Sequence, residues 1–258
     1  MRTHDLTHGS LFSGVGGFEL GADMSGIKTL WNCEFEEHNR NILKKNFPET
    51  IQYSDVRTMY NPSYVDVISG GFPCQDLSIA NVSNKKIWEN GTVKGIKGER
   101  SGLWVEMWRI CREVRPRYIL IENSPMLLVR GFEQVLCDLS EIGYVCEWQC
   151  LQASQFGFNH KRERFFGIAY PSEIRRINNS TVFRKLQEIF SEQAPRQNNL
   201  PMPVKRIDSR SDYESIRMDD GFSKELDKRR IEMMGNAVVP DITHYLFECI
   251  KKHHKLII

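Results

Sequence analysis

The sequence predicts an α/β fold, a mostly parallel sheet flanked by helices, with a small variable region set in before the final helix. Three observations lead there. Short apolar runs recur along the 258-residue chain, separated by stretches of helical spacing. The first run, ending in Leu11-Phe12, passes through a glycine-rich turn into a helical stretch, and strand, glycine turn, helix is the order of a nucleotide-type cofactor site. The length suits one large α/β domain with a smaller appendage.

Each element can be justified in turn. Residues 6–12 read as the first strand, and Ser13-Gly-Val-Gly-Gly-Phe-Glu-Leu-Gly21 as the turn and helix start. The spacing is Gly-x-Gly-Gly, so the dinucleotide signature is incomplete, and a tight structural turn explains it equally well. Lys28 to Glu34 reads as a second strand ending in an acid, which can accept hydrogen bonds from ribose hydroxyls or simply start the next helix. Residues 36–46 read as a helix stopped near Pro48. Val65, Val67 and Ile68 form a short buried strand, and Gly70, Gly71 and Pro73 then turn the chain sharply into Cys74. A cysteine there stands at the carboxyl edge of the sheet, where open α/β sheets place their ligands, in surroundings that favour thiolate.

Residues 79–100 are long, polar and glycine-punctuated. Lys85, Lys86, Lys94, Lys97 and Arg100 oppose only Glu89 and Glu99, as suits a lid over phosphates or a plain surface excursion. Leu103, Met107, Ile110 and Val114 mark a helix over 101–114. Tyr118 to Asn123 is a buried strand carrying an acid, Glu122, at its carboxyl end, a costly place for a carboxylate without a partner or a task. Phe132, Val135, Leu136, Leu139 and Ile142 mark a helix closed by Gly143, and Tyr144 to Leu151 a strand. Arg162 and Arg164 alternate in a strand-like run and so point to one side. Residues 171–225 lack a clear period. Within 171–210, eight Lys/Arg face four Asp/Glu, which suits a DNA-facing module. Ile242, Tyr245, Leu246, Cys249 and Ile250 mark a last helix, and the tail Lys251–Lys255 reads as solvated.

Composition narrows the class. Apolar content of 40% and charged content of 26% are globular values, and a net charge of +2 leaves any nucleic-acid contact to local clusters of Lys and Arg. No apolar run approaches the roughly 18 residues of a membrane span, and Met1–His8 lacks the apolar core of a signal peptide, so no membrane partner is expected. Seven cysteines, an odd number with no Cys-x-x-Cys pair, argue against a disulfide framework and against zinc. Cys146 and Cys150 should pack on one face of their strand.

The motifs together resemble the DNA (cytosine-5) methyltransferase family. Gly70-Gly-Phe-Pro-Cys-Gln-x-x-Ser78 resembles its nucleophile motif, and Phe12, Gly14, Gly16 and Gly17 its S-adenosylmethionine loop. The family usually carries Asp where Ser10 stands. Glu122-Asn123 resembles the pair that reads the cytosine edge; Ser124-Pro125 follows where Val is frequent, as in phage and prophage members. Gln155 to Phe166 resembles the Gln-x-Arg-x-Arg segment, with His160 in place of Gln. Met234-Gly-Asn-Ala-Val-Val-Pro240 resembles the last motif, with Asn236 and Val238 at the matching positions.

The resemblance implies a Rossmann-like S-adenosylmethionine-dependent methyltransferase fold, with 1–170 plus 226–258 as catalytic domain and 171–225 as a short target-recognition region. It implies S-adenosyl-L-methionine as cofactor, held by the glycine loop, Glu34 at the ribose, Phe35 and Asp55 at the adenine, Val56, Phe72, Leu103 with Trp104, Asn236 and Val238. It implies Cys74 as nucleophile, Glu122 on the base, and Arg162 and Arg164 on phosphate and the base carbonyl. Gln75, Ser78, Lys85, Lys86, Lys94, Lys97 and Arg100 would meet double-stranded DNA. A monomer in the cytoplasm of a bacterium or phage-infected host, without metal, is expected. Two alternatives stand beside this: the same chemistry on RNA, and an inactive DNA-binding regulator on the same scaffold.

Overall fold

The structure, a computed structural model, describes residues 5–73, 102–158, 162–177, 182–183 and 238–256. Seven strands form one sheet: β1 (Thr7–Leu11), β2 (Lys28–Cys33), β3 (Ile51–Tyr53), β4 (Val67–Gly70), β5 (Tyr118–Asn123), β6 (Tyr144–Gln152) and β7 (Glu163–Pro171), in the order β3-β2-β1-β4-β5-β7-β6. Four of the six pairings are parallel; β7 runs antiparallel to both β5 and β6. The helices are α1 (Gly17–Met24), α2 (Glu37–Asn46), α3 (Leu103–Val114), α4 (Leu127–Arg130), α5 (Phe132–Glu141), α6 (Ser172–Ile177) and α7 (Pro240–His254).

The central strands are buried on both faces, and their residues alternate between two cores. Ile119 and Ile121 face the core with α3 and α5, through Met107, Ile110, Phe132 and Val135. Tyr118 and Leu120 face the core with α1 and α7, through Phe18, Ala22, Leu246 and Phe247. Two glycines let α7 lie close on α1: a Cβ on Gly17 would strike the Val238 carbonyl, and one on Gly21 the Thr243 hydroxyl. Thr243 Oγ1 donates to Gly17 O at 3.0 Å. Cys146 and Cys150 pack against the first core, as their spacing predicts.

Two elements differ from the sequence reading. Lys251–Lys255 is not a solvated tail. It continues α7 to His254, because helical spacing carries the Leu246–Ile250 stripe on to His253 and His254, which are both buried. Tyr118 Oη and His253 Nδ1 lie 3.0 Å apart, and Lys251 donates to Ser25 O at 2.6 Å. Second, β4 begins at Val67; Val65 is buried just before it. β7 ends at Pro171, α6 packs back on the sheet, and Val182 is buried in the second core. No helix among the described residues is long and apolar enough to cross a membrane.

Candidate active site

β4 lies between β1 and β5. The glycine loop after β1, the Gly71-Phe72-Pro73 turn after β4 and Glu122 near the end of β5 therefore meet at one edge of the sheet. The edge also adjoins the β1/β4 switch point, where the chain, having built outward to β3, returns to build the other half, and where open α/β sheets bind ligands. Because β7 is antiparallel to β5, with Glu122 opposite Phe166 and Asn123 opposite Phe165, its beginning arrives at the same edge. Arg162 and Arg164 come with it.

Glu122 is 8% exposed. Its Oε1 pairs with Arg164 Nε at 3.1 Å. Burial raises its pKa above the ordinary carboxylate range, and Arg164 and then Arg162 oppose that rise in part. Burial, together with Arg164, also lowers the pKa of Arg162, which Glu122 partly restores. The net direction for Glu122 is toward the neutral acid, a form that can donate as well as accept. Gly71 makes room for it, since a Cβ there would stand 2.7 Å from Glu122 Oε2. Asn123 Nδ2 donates to Phe72 O at 3.3 Å, and the Phe72 ring lies 5.4 Å from that of Trp104. The backbone entering Cys74 is thus fixed by β5 from one side and α3 from the other.

The cofactor side is built from β1 and β2. Phe12 has φ 55 and is not a glycine; such backbone strain clusters at functional sites. Gly14 (φ 56) and Gly16 (φ 98) are also left-handed, and among the described residues nothing lies within 4 Å of where a Gly14 Cβ would stand, so the loop is open at Gly14. Glu34 follows β2. Its Oε2 accepts from Gly14 N at 2.7 Å, and its Oε1 from Glu36 N at 2.9 Å and Asn39 Nδ2 at 3.3 Å. Arg40 Nη1 donates to Glu34 O at 3.1 Å and also to Phe35 O. Phe35 presents a ring that is 62% exposed, with the Arg57 guanidinium 5.7 Å from its centre. Arg57 also grips both carboxylate oxygens of Asp55, at 2.7 to 3.1 Å, and lowers its pKa. A glycine loop open at Gly14, a strand-end carboxylate tied to it and an exposed aromatic ring fit an adenosine-bearing cofactor.

The expected cofactor residues thus fall into two groups. Phe12, Gly14, Gly16, Gly17, Glu34, Phe35 and Asp55 line one end of the sheet edge. Val56 and Phe72 point their side chains into the core, 4% and 2% exposed, so only their main chain can reach a ligand. Trp104, expected against the cofactor beside Leu103, is wholly buried with its indole N–H on Asp138 Oδ2 at 2.6 Å. Val238 is half-buried against Gly17. Cys74, Gln75, Ser78, Lys85, Lys86, Lys94, Lys97, Arg100, His160 and Asn236 lie outside the described residues, as does most of 171–225. Sequence reasoning missed Gly71 as the seat of Glu122, having read it only as a turn. It also missed Arg57, although its place two residues after Asp55 was a signal.

This architecture defines the class: the Rossmann-like fold of S-adenosylmethionine-dependent methyltransferases. A methyltransferase from Entamoeba histolytica, EhMeth, shares it with a TM-score of 0.62, 16% identity, and coverage of 97% of this chain and 99% of that one. A profile of the C-5 cytosine-specific DNA methylases matches residues 6–230, and the chain belongs to that family. Type II methyltransferase M2.BsuMI of Bacillus subtilis (strain 168) is 35% identical over 168 residues, covering 62% of this chain and 41% of the relative. Type II methyltransferase M.CviJI of Paramecium bursaria Chlorella virus IL3A is 30% identical over 247 residues, 92% of this chain and 57% of the relative. The chain thus spans about half the length of these two relatives.

Proposed function

We propose that the chain transfers a methyl group from S-adenosylmethionine to carbon 5 of a cytosine flipped out of duplex DNA. The observation that carries this reading is Glu122, buried, with a raised pKa, paired to Arg164, and set beside the turn that leads into Cys74. The cofactor supplies an electrophilic methyl group. The glycine loop, Glu34 and the Phe35 ring hold its adenosine portion. Carbon 5 of cytosine is too weakly nucleophilic to act alone. Addition of the Cys74 thiolate to carbon 6 gives an enamine and moves electron density to carbon 5. Neutral Glu122 donates to ring nitrogen 3 and stabilises the charge that develops there. Carbon 5 then takes the methyl group, with S-adenosylhomocysteine as the leaving group. Loss of the carbon-5 proton to water and departure of Cys74 as thiolate restore the aromatic ring, and the proton on ring nitrogen 3 returns to Glu122. A stacked base is out of reach of these groups, so it must leave the duplex.

Residues 171–225 are proposed to read the target, with Arg175, Arg176, Arg184, Asn198, Asn199, Lys205 and Arg206 as candidates. The lysines of 79–100 are proposed to grip phosphates. The test is transfer of labelled methyl to duplex DNA, single-stranded DNA and tRNA. Duplex DNA should accept label and the other two little or none; label on tRNA alone would favour RNA as substrate, and label on none an inactive regulator. The same duplex titrated over salt checks the grip: with Lys85, Lys86, Lys94 and Lys97 changed to Ala, the log–log slope should flatten, and an unchanged slope would place those lysines in solvent.

A further inference from the structure

Glu19 lies in the first turn of α1, immediately after the glycine loop, and is wholly buried. Neither of its carboxyl oxygens has a hydrogen-bond partner among the described residues. Ser13 Oγ donates to Ser10 Oγ at 2.9 Å; both hydroxyls lie close enough to Glu19 to pull its pKa down, without completing a hydrogen bond to it. Ser10 is the register partner of Asn32 on β2, so the two side chains leave the sheet on the same face. Asn32 is also wholly buried, and both atoms of its amide lack partners among the described residues. Four orphaned polar atoms thus belong to side chains grouped around Ser10, near the carboxyl ends of β1 and β2 and under the glycine loop. Folded proteins seldom leave such atoms unpaired, and an isolated carboxylate is the costliest of them.

We propose that Glu19 supplies the negative charge that receives the ammonium group of the cofactor's amino-acid end, with Asn32 and the two serines completing a polar pocket. The proposal rests on S-adenosylmethionine being the cofactor. What would satisfy Glu19 is a positive group that brings several hydrogen-bond donors. The ammonium has three; the sulfonium, the cofactor's other positive centre, has none. Glu34 is not a rival, since both its oxygens already accept bonds from the loop and from α2 and its cap. Few charged groups face Glu19. Glu34 repels it from the end of β2, and α7 meets α1 through Thr243 and places His244 at the far end of the helix, against Ser25. Burial raises the Glu19 pKa to about 7, with the serine hydroxyls pulling it down and Glu34 pushing it up. Near neutral pH the ligand-free carboxyl is therefore partly protonated, and taking up an ammonium drives the proton off.

The test is calorimetric binding of S-adenosylhomocysteine and of 5′-methylthioadenosine, which lacks the amino-acid end, to the full chain and to Glu19→Gln. The variant should bind S-adenosylhomocysteine about ten- to a hundredfold more weakly, the range for a charge-assisted bond. Its binding of 5′-methylthioadenosine should be unchanged. At pH 7, in buffers of different ionisation enthalpy, the wild type should release a fraction of a proton with S-adenosylhomocysteine and none with 5′-methylthioadenosine. That comparison needs no variant, and so stands even if Glu19→Gln fails to fold. Equal weakening of both ligands, no weakening, or equal proton release with both would overturn the assignment while leaving the cofactor reading intact. Failure of the wild type to bind either ligand would remove the cofactor reading, and this inference with it.

Discussion

At the scale of single residues, the site turns on how the protein sets the charge of Glu122. Burial favours the neutral acid, while Arg164, 3.1 Å away, favours the carboxylate. If donation to ring nitrogen 3 needs the acid, activity falls as pH rises through the pKa of Glu122 in the bound complex. Arg164→Ala removes the largest opposing charge and raises that pKa. The variant should therefore be slower at its optimum, with the alkaline limb of its rate profile moved to higher pH. A limb that stays put, or moves down, would mean that Glu122 does not control it. That Glu122 would need a partner was legible, because a carboxylate ending an apolar strand is costly without one. Its partner was only partly legible: the alternation of Arg162 and Arg164 showed a shared side, but nothing local showed that β7 returns antiparallel beside β5.

At the scale of elements, the turn after β4 is shaped by its neighbour. Gly71 has no side chain because the Glu122 carboxylate fills that place. Gly71→Ala should leave the sheet intact and shift either the carboxylate or the turn. A displacement of about 1 Å costs roughly a hundredfold in rate where geometry is decisive. Thermal unfolding and S-adenosylhomocysteine binding should change little, and near wild-type turnover would contradict the packing described. Elements set by local pattern, such as α3, β5 and α5, were readable as runs of period 3.6 or unbroken apolar stretches. The extension of α7 through Lys251–His254 was not, because Lys and His look solvated until Tyr118 and Tyr170 supply a buried partner surface. Trp104 was misplaced for a related reason: its anchor, Asp138, lies on another helix, 34 residues away.

At the scale of the whole molecule, one sheet edge gathers the groups the proposed chemistry needs. β1 brings the glycine loop, β2 Glu34, β4 the turn into Cys74, β5 Glu122 and β7 the arginines. The antiparallel return of β7 is what brings Arg164 beside Glu122, more than forty positions away in sequence. The central claim is that Cys74 adds covalently to a cytosine in DNA, and trapping tests it most directly. A duplex carrying 5-fluorocytosine at the target, incubated with the chain and S-adenosylmethionine, should give a protein–DNA adduct that survives denaturation, because fluorine cannot leave as a proton does. The adduct should require the cofactor and be absent from Cys74→Ala. An adduct formed equally by Cys74→Ala, or none from a wild type that still methylates ordinary cytosine, would contradict the account.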